Sequence, residues 1–247
     1  MQRYKLLIEF DGTDYAGWQR QKNAPSIQEA LESAVKGFCG EQQDVCGAGR
    51  TDAGVHGIAM AAHVDIAKQT TAFRVQQAIN FHLGKQPISV VGAEAIAPDF
   101  HARFSCMRRS YRYRIINRRP PLTLDRGKAW RIVPDLDAEA MEEAAQILVG
   151  KHDFTTFRAT MCQAASPVKT IDKISVQRNL QEITVDCTAP SFLHNQVRSI
   201  VGALVAVGQK KWSQTDLQAA LDAKDRTKAA QVAPACGLYF LSADYGP

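Results

Sequence analysis

The spacing of apolar and polar residues changes several times along the chain between an alternating and a helical pattern. Residues 4–10 alternate and carry side chains that favour strands, which predicts a β-strand. From Ser26 to Phe38 apolar residues recur at helical spacing, and Ser26 followed three residues later by Glu29 is typical of a helix start. The same criteria predict strands at 44–48, 58–66, 88–96, 102–116, 169–178, 182–189 and 237–245, and helices at 71–83, 137–149, 192–207 and 215–223.

The order of these elements divides the chain into two similar halves. Each half runs strand, helix, strands, helix, strand, and the division falls between residues 105 and 120. Such interleaving favours an α+β protein with mixed or antiparallel sheets over a doubly wound parallel sheet. We therefore predict domains at residues 1–105 and 106–247.

Charge is unevenly distributed along the chain. The 247 residues carry a net charge of +5, and the stretch from Arg103 to Arg119 contains seven arginines and no acid. A one-signed basic block is typical of a nucleic-acid-binding surface, although a solvated face would have the same composition. Alternation in the predicted strand places these arginines on both faces, with Arg109 beside Tyr111 and Tyr113 on one, and Arg108, Arg112 and Arg114 on the other.

Composition also limits where the protein acts and what it binds. The longest apolar run, at 200–208, is far too short to span a membrane, and the N-terminal residues lack the features of a secretion signal. Six cysteines occur without a C-x-x-C pair, which is unlike a zinc site or an extracellular disulfide framework. We expect a cytoplasmic protein without a bound metal.

The stretch GAGRTDAGVHG at residues 47–57 stands between two predicted strands and contains a single acid, Asp52. Its glycines permit positive φ angles and allow another backbone to approach closely. Asp52 could be a turn-forming residue, a phosphate-loop residue, a metal ligand with His56, or a catalytic carboxylate. The phosphate-loop lysine is absent and no helix follows. Arg50, two residues earlier, would help to keep a nearby carboxylate ionised.

Six segments of the chain, in order, resemble the tRNA pseudouridine synthase A family. They are FDGTDYAGWQRQ (10–21), GRTDAGVHG (49–57), FHARFSCMRRSYRYRI (100–115), HDFTTFR (152–158), FLHNQVRSIVG (192–202) and APACGLYFLSADY (233–245). The resemblance implies isomerisation of uridine to pseudouridine in the anticodon stem-loop of tRNA, at positions 38, 39 and 40, without a cofactor. The uracil would be detached at N1, rotated, and rejoined to the ribose through C5.

The resemblance also implies roles for individual residues. Asp52 falls on the family's nucleophile, which adds either to the ribose C1′ or to the uracil ring. Tyr111 falls on the tyrosine that stacks on the target base, which must first leave its helical stack. Arg50 matches a residue that displaces the base or holds the RNA backbone, Arg198 matches the arginine that pairs with the aspartate, and Leu238 matches an apolar wall of the pocket. Arg108, Arg109, Arg112 and Arg114 are expected to bind RNA.

The fold and assembly implied by the resemblance are those of the pseudouridine synthase fold. Two ferredoxin-like halves would join their sheets, with the active site in a central cleft, and a homodimer would bind tRNA but not DNA or membranes. Two other classes remain open from the residues alone. A non-catalytic RNA-binding protein would explain the arginines and tyrosines, and a metal-dependent hydrolase would use Asp52 and His56.

Overall fold

The computed structural model describes residues 1–160 and 162–246 and divides them into two compact units. The first unit contains Met1–Arg109 and the chain from Tyr239 onward, and the second contains Ser110–Leu238. The sequence-based domains at 1–105 and 106–247 stay a prediction. The packed units differ from them because the end of the chain returns to the first unit.

The first unit holds a sheet with two helices. Its elements are β1 (Gln2–Phe10), α1 (Ile27–Cys39), β2 (Cys46–Gly47), β3 (His56–Ile66), α2 (Ala72–Leu83), β4 (Ile88–Ile96) and β11 (Leu238–Asp244). Strand β1 lies between β3 and β4 and pairs antiparallel with both. Strand β11 pairs parallel with β3, opposite His56 and Gly57. Both pairing directions therefore occur in one sheet.

Capping residues set the start and the end of helix α1 in the first unit. The Ser26 hydroxyl accepts the amide of Glu29 at the start of α1, and Gly40 adopts a left-handed conformation at its end. The buried face of α1 carries Ile27, Leu31 and Val35. Because these apolar residues share one face, the amphipathic pattern predicted this helix closely.

The second unit also combines strands and helices. Its elements are β5 (Arg108–Asn117), β6 (Trp130–Ile132), α3 (Ala138–Ala145), β7 (Gly150–Asp153), β8 (Val168–Ile171), β9 (Lys173–Asn179), β10 (Glu182–Ala189), α4 (Gln196–Gly208) and α5 (Gln214–Ala223). Strands β5, β10 and β9 are neighbours in that order, β6 pairs parallel with β5, and β7 pairs with β8. The α+β class predicted from the sequence is confirmed.

Several predicted boundaries are wrong, because a turn, a left-handed residue or a bond to another strand interrupts the predicted element. The strand predicted at 102–116 begins only at Arg108, because residues 101–105 form a turn in which the Ser105 amide bonds the His101 carbonyl. The helix predicted at 192–207 begins at Gln196, after Asn195 takes a left-handed conformation. The strand predicted at 169–178 is divided at Asp172, whose amide bonds the Thr188 carbonyl.

Short strands were predicted poorly. The strand predicted at 44–48 is only Cys46–Gly47, and the short strand Trp130–Ile132 was not predicted. A segment of two or three residues is too short to show a period, so only its pairing partner reveals it. Within the described residues, no helix is long and apolar enough to cross a membrane.

Candidate active site

Asp52 lies in the connection between β2 and β3, as the sequence predicted. Its side chain is half-buried, while the preceding Thr51 and the following Val55 are buried. The Val55 amide donates to the Asp52 carbonyl at 3.2 Å and closes a tight turn. The turn therefore presents one carboxylate at the surface of the unit and anchors both of its flanks in the core.

A loop from the first motif, residues 11–18, packs directly on this turn. The Trp18 amide donates to the Thr51 carbonyl at 3.1 Å, and the Gly54 amide donates to the Tyr15 carbonyl at 3.3 Å. A Cβ atom at Gly17, where φ is +107°, would lie 2.4 Å from the Thr51 carbonyl oxygen. Only glycine permits so close an approach, so the loop acts as a backbone clamp on the turn that carries Asp52.

Two glycines of the turn region meet the protein interior. A Cβ atom at Gly47 would lie 2.6 Å from the Trp18 ring, and one at Gly57 would lie 2.3 Å from the Phe10 ring. The sequence suggested that these glycines allow another backbone to approach the carboxylate. The structure shows instead that they make room for buried aromatic rings beneath the turn.

His56 anchors the start of β3 behind the turn. Its buried ring stacks on Tyr239 with centroids 4.7 Å apart. Its Nδ1 lies 3.0 Å from an Asp11 carboxylate oxygen and 3.1 Å from the Gly12 amide nitrogen. In either tautomer this nitrogen therefore bonds the start of the clamping loop, and His56 connects the loop to the strand. Sequence reasoning considered His56 only as a metal ligand and missed this role.

Arg50 is an exposed residue of the turn that carries Asp52. Within the described ranges 1–160 and 162–246, no hydrogen bond or ion pair is recorded for its guanidinium. An unpaired cation two residues from Asp52 can bind a phosphate or a base without first breaking an internal contact.

Tyr111 and Tyr113 lie on one face of β5, as the alternation predicted. Tyr111 is 9% exposed, and its ring packs edge-on against Phe192 at a centroid distance of 5.1 Å. Tyr113 is fully buried and donates its hydroxyl to the Pro234 carbonyl at 2.7 Å, and burial raises its pKa. Tyr113 is therefore a core residue, while Tyr111 keeps a small exposed fraction.

Arg198 and Leu238 lie in the second unit, like Tyr111. The Arg198 guanidinium donates to the Ala233 carbonyl at 2.8 Å and to the Asn195 side-chain oxygen at 2.9 Å. These bonds fix the start of α4 to the segment before β11. Leu238 is buried at the first position of β11. The functional roles of both residues stay predictions.

The arginines predicted to bind RNA are held by internal partners. Arg112 forms two bonds of 2.7 Å to the Asp186 carboxylate, which raise its pKa. Arg114 bonds Glu182 at 2.6 Å and Asp125 at 3.0 Å. The sequence showed a block without acids, but folding brings acids from elsewhere in the chain beside it.

The two other arginines of this set lie in the first unit. Arg108 is 3.5 Å from Asp244, with both side chains about half exposed. The Arg109 guanidinium donates to the carbonyls of Ala48, Arg103 and Cys106. Arg109 thus has a structural role. RNA binding by any of the four arginines stays a prediction.

One group of possible metal ligands occurs among the described residues: Cys46, His63 and His101, whose ligand atoms lie within 4.8 Å of one another. The His63 Nδ1 accepts the Ala102 amide, and the His101 Nδ1 accepts two backbone amides. A neutral imidazole that accepts at Nδ1 carries its proton at Nε2. Neither ring then has a nitrogen lone pair left for a metal ion. A histidine that binds a metal through one nitrogen normally donates a hydrogen bond from the N–H of its other nitrogen. The cluster does not fit a metal.

Comparison with known proteins gives consistent results. The sequence profile of a family described as tRNA pseudouridine synthase matches residues 6–105 and 144–246. The tRNA pseudouridine synthase A of Maricaulis maris (strain MCS10) is 56% identical over 248 residues, which cover 100% of both chains. The protein of the same name from Rhodospirillum centenum (strain ATCC 51521 / SW) is 54% identical over 245 residues, covering 99% of this chain and 100% of that protein.

A solved structure titled "Crystal Structure of a Cbf5-Nop10-Gar1 Complex" contains a chain with 9% identity and a TM-score of 0.31, covering 81% of this chain and 54% of that one. A TM-score this low supports no conclusion about the fold.

The fold and the turn define the class as an α+β protein that presents a half-buried aspartate on a clamped turn. The full-length matches narrow that class: the chain belongs to the tRNA pseudouridine synthase family.

Proposed function

We propose that this protein isomerises uridine to pseudouridine in the anticodon stem-loop of tRNA, at positions 38, 39 and 40, with Asp52 as the nucleophile. One observation carries the proposal. The GRTDAGVHG turn presents a half-buried carboxylate, clamped by the loop at 11–18, in a chain that matches tRNA pseudouridine synthases along its whole length.

The chemistry requires little beyond this carboxylate. The C1′–N1 bond of uridine breaks, the uracil rotates, and a C1′–C5 bond forms. The proton on C5 is lost to solvent and N1 gains a proton, so the product has the same composition as the substrate. Because Asp52 is regenerated and nothing is oxidised or reduced, the reaction needs neither a cofactor nor a metal.

The remaining site residues support the same reaction. We assign to Arg50 the displacement of the base or the holding of the RNA backbone, because its guanidinium is exposed. Tyr111 would stack on the flipped uracil, a contact of about 1–3 kcal/mol per base. Arg198 would pair with the nucleophilic aspartate, as the family resemblance implies, and Leu238 would contribute an apolar wall.

The cellular setting is part of the proposal. We expect the protein to act in the cytoplasm, where its tRNA substrate is found, and to form a homodimer that binds tRNA and not DNA. Light scattering at assay concentration measures the assembly, and a monomeric mass would refute the homodimer. Competition between labelled tRNA and unlabelled duplex DNA measures the preference between nucleic acids.

The decisive experiment is release of tritium from tRNA labelled at C5 of uridine, with a chelator present and no metal added. Wild-type protein should release tritium, and Asp52→Asn should release none above background while it still folds and binds tRNA. Asp99→Asn is a matched control, because Asp99 is an exposed acid of the same unit. It should release tritium at the wild-type rate.

Other outcomes of the same assay identify the alternatives. Tight tRNA binding by wild-type protein without any tritium release would indicate an RNA-binding protein without catalysis. Activity abolished by the chelator and restored by a divalent metal would indicate a metal-dependent hydrolase. Either result would overturn the proposed isomerase.

A further inference from the structure

Phe104 carries a highly exposed aromatic ring and lies in the same unit as Asp52. Its side chain is 78% exposed, at the tip of the turn at residues 101–107 that precedes β5. We refer to these residues as the Phe104 turn. Exposing a large apolar ring is unfavourable in water, so a ring held outward at a fixed position points to a binding partner.

The Phe104 turn is rigid because its backbone polar groups are bonded within it. The Ser105 amide donates to the His101 carbonyl at 2.8 Å, and the Ser105 hydroxyl accepts the His101 amide at 3.0 Å. The amides of Arg103 and Phe104 both donate to the His101 Nδ1, at 3.2 and 3.3 Å. The backbone that carries the ring is therefore fixed before any ligand binds, which lowers the entropic cost of binding.

Arg109 connects the Phe104 turn to the turn that carries Asp52. Its guanidinium donates to the carbonyls of Arg103 and Cys106 on one side. The same guanidinium donates to the Ala48 carbonyl at 3.1 Å, two residues before Arg50. One side chain thus fixes both segments, so the position of Phe104 is set relative to the catalytic carboxylate within a single unit.

The chemistry around the ring favours a nucleic acid. The Arg103 guanidinium lies 5.8 Å from the centroid of the Phe104 ring. Arg103 is exposed, and across residues 1–160 and 162–246 no bond is recorded for its guanidinium. An aromatic ring beside an unpaired cation is the combination by which proteins stack an unpaired base and neutralise its phosphate.

We propose that Phe104 stacks on an unpaired base of the tRNA substrate, outside the pocket of the reacting uridine, while Arg103 contacts an adjoining phosphate. This inference rests on the proposed function for the identity of the RNA. It assigns the rigid Phe104 turn as a second point of attachment that orients the substrate relative to Asp52.

Direct binding and steady-state kinetics test the stacking contact. Phe104→Ala should raise the Kd for tRNA and the KM between about fivefold and a hundredfold, while kcat stays within about twofold. Phe104→Trp should keep the wild-type Kd, since a larger aromatic ring also stacks. Its added fluorescence should be quenched by tRNA in an Asp52→Asn background, where turnover cannot interfere.

The chain offers a matched control in Phe81, which is 80% exposed on α2 of the same unit. Phe81→Ala should leave Kd, KM and kcat unchanged. Arg103→Ala should reduce the slope of log K against log salt by about 0.7. A Kd for Phe104→Ala equal to that of wild type would overturn the inference. A molecular mass of Phe104→Ala in light scattering that differs from the wild-type mass would also overturn it, because Phe104 would then lie between subunits.

The assays distinguish failure of the proposed function from failure of the stacking contact. Wild-type protein would then release no tritium, while direct binding of tRNA would still report whether Phe104 contributes. Normal tritium release with an unchanged Kd for Phe104→Ala would refute the stacking contact and leave the isomerase intact.

Discussion

At the scale of a single residue, burial decides the chemistry of His63. The side chain is 6% exposed on β3, and its Nδ1 accepts the Ala102 amide at 3.1 Å. Burial, together with the charges of His101 and Arg3, lowers its pKa to about 4, and the nearby Asp65 only partly opposes this shift. A histidine held neutral in this way ties the segment after β4 to the sheet.

His63 should make the stability of the protein depend on pH. Its pKa in the unfolded chain is about 6.5, so the unfolded state binds more protons between pH 6.5 and 4. The stabilisation is complete above pH 6.5 and is lost progressively as the pH falls to 4, by at most about 3 kcal/mol. Urea unfolding at pH 7, 6 and 5 measures this loss.

The matched variant is His63→Gln, which keeps an acceptor but cannot titrate. It should be less stable than wild type at pH 7 and lose less stability between pH 7 and 5. Equal losses in the two proteins would refute the role of His63.

At the scale of elements, two segments that are distant in sequence form the candidate active site. The loop at 11–18 closes on the turn that carries Asp52 through backbone bonds and through the close approach at Gly17. The sequence identified both segments as motifs of one family but did not show that they touch. Their contact is a property of the folded unit, because it joins residues more than thirty positions apart.

Gly17→Ala should disturb this contact and so the catalytic geometry. The added methyl group would meet the Thr51 carbonyl and is also disfavoured at positive φ. We expect kcat to fall by more than tenfold, since a displacement of about 1 Å near the chemistry costs about a hundredfold. Tritium release at saturating tRNA measures the effect.

Gly40→Ala provides the control, because Gly40 also has a positive φ but faces open space at the end of α1. It should lose about 1 kcal/mol of stability and keep wild-type kcat. Equal kcat values for the two variants would show that the clamp does not position Asp52.

The basic strand β5 makes a second prediction at this scale. If Arg108, Arg112 and Arg114 exchange their carboxylate partners for phosphates, replacing all three by alanine should flatten the salt dependence of tRNA binding by about 0.7 per lost contact. Replacing three exposed lysines elsewhere, Lys36, Lys85 and Lys173, removes the same charge and should change the slope less. An unchanged slope in the arginine variant would mean that these side chains serve only the ion pairs seen in the fold.

At the scale of the whole molecule, the end of the chain completes the unit formed by its beginning. Tyr239 covers the His56 ring, the Asp244 carbonyl accepts the Met107 amide at 2.8 Å, and the Tyr245 hydroxyl donates to the Ala102 carbonyl at 2.8 Å. Strand β11 also pairs with β3 directly after the turn that carries Asp52. The first unit is therefore not a contiguous segment of the sequence.

Deleting the chain from Tyr239 onward should consequently destabilise the first unit. We expect a lower midpoint of urea unfolding and loss of tritium release, because the pairing and ring contacts behind the turn disappear. Deleting only residues 246 and 247 is the control and should leave both unchanged. An unaltered unfolding midpoint in the longer deletion would refute the structural role of β11.

Sequence alone determined much of this protein, because periodicity and capping are local. It predicted the main helices and strands of both units, the cap at Ser26, and the position of Asp52 between two strands. The ordered motifs also identified the family. Boundaries were predicted less well where a distant partner ends an element, as at Asp172, whose amide bonds a residue of another strand.

Only the tertiary structure decided which side chains have partners inside the protein and which remain exposed to bind a ligand. Folding places Asp186 beside Arg112, whose RNA-binding role stays a prediction. Folding also places the Trp18 ring in the space next to Gly47. Arg50 and Phe104 remain exposed on supported turns. The physical reason is that spacing along a chain fixes the direction of each side chain, whereas its partners come from residues that only folding brings near.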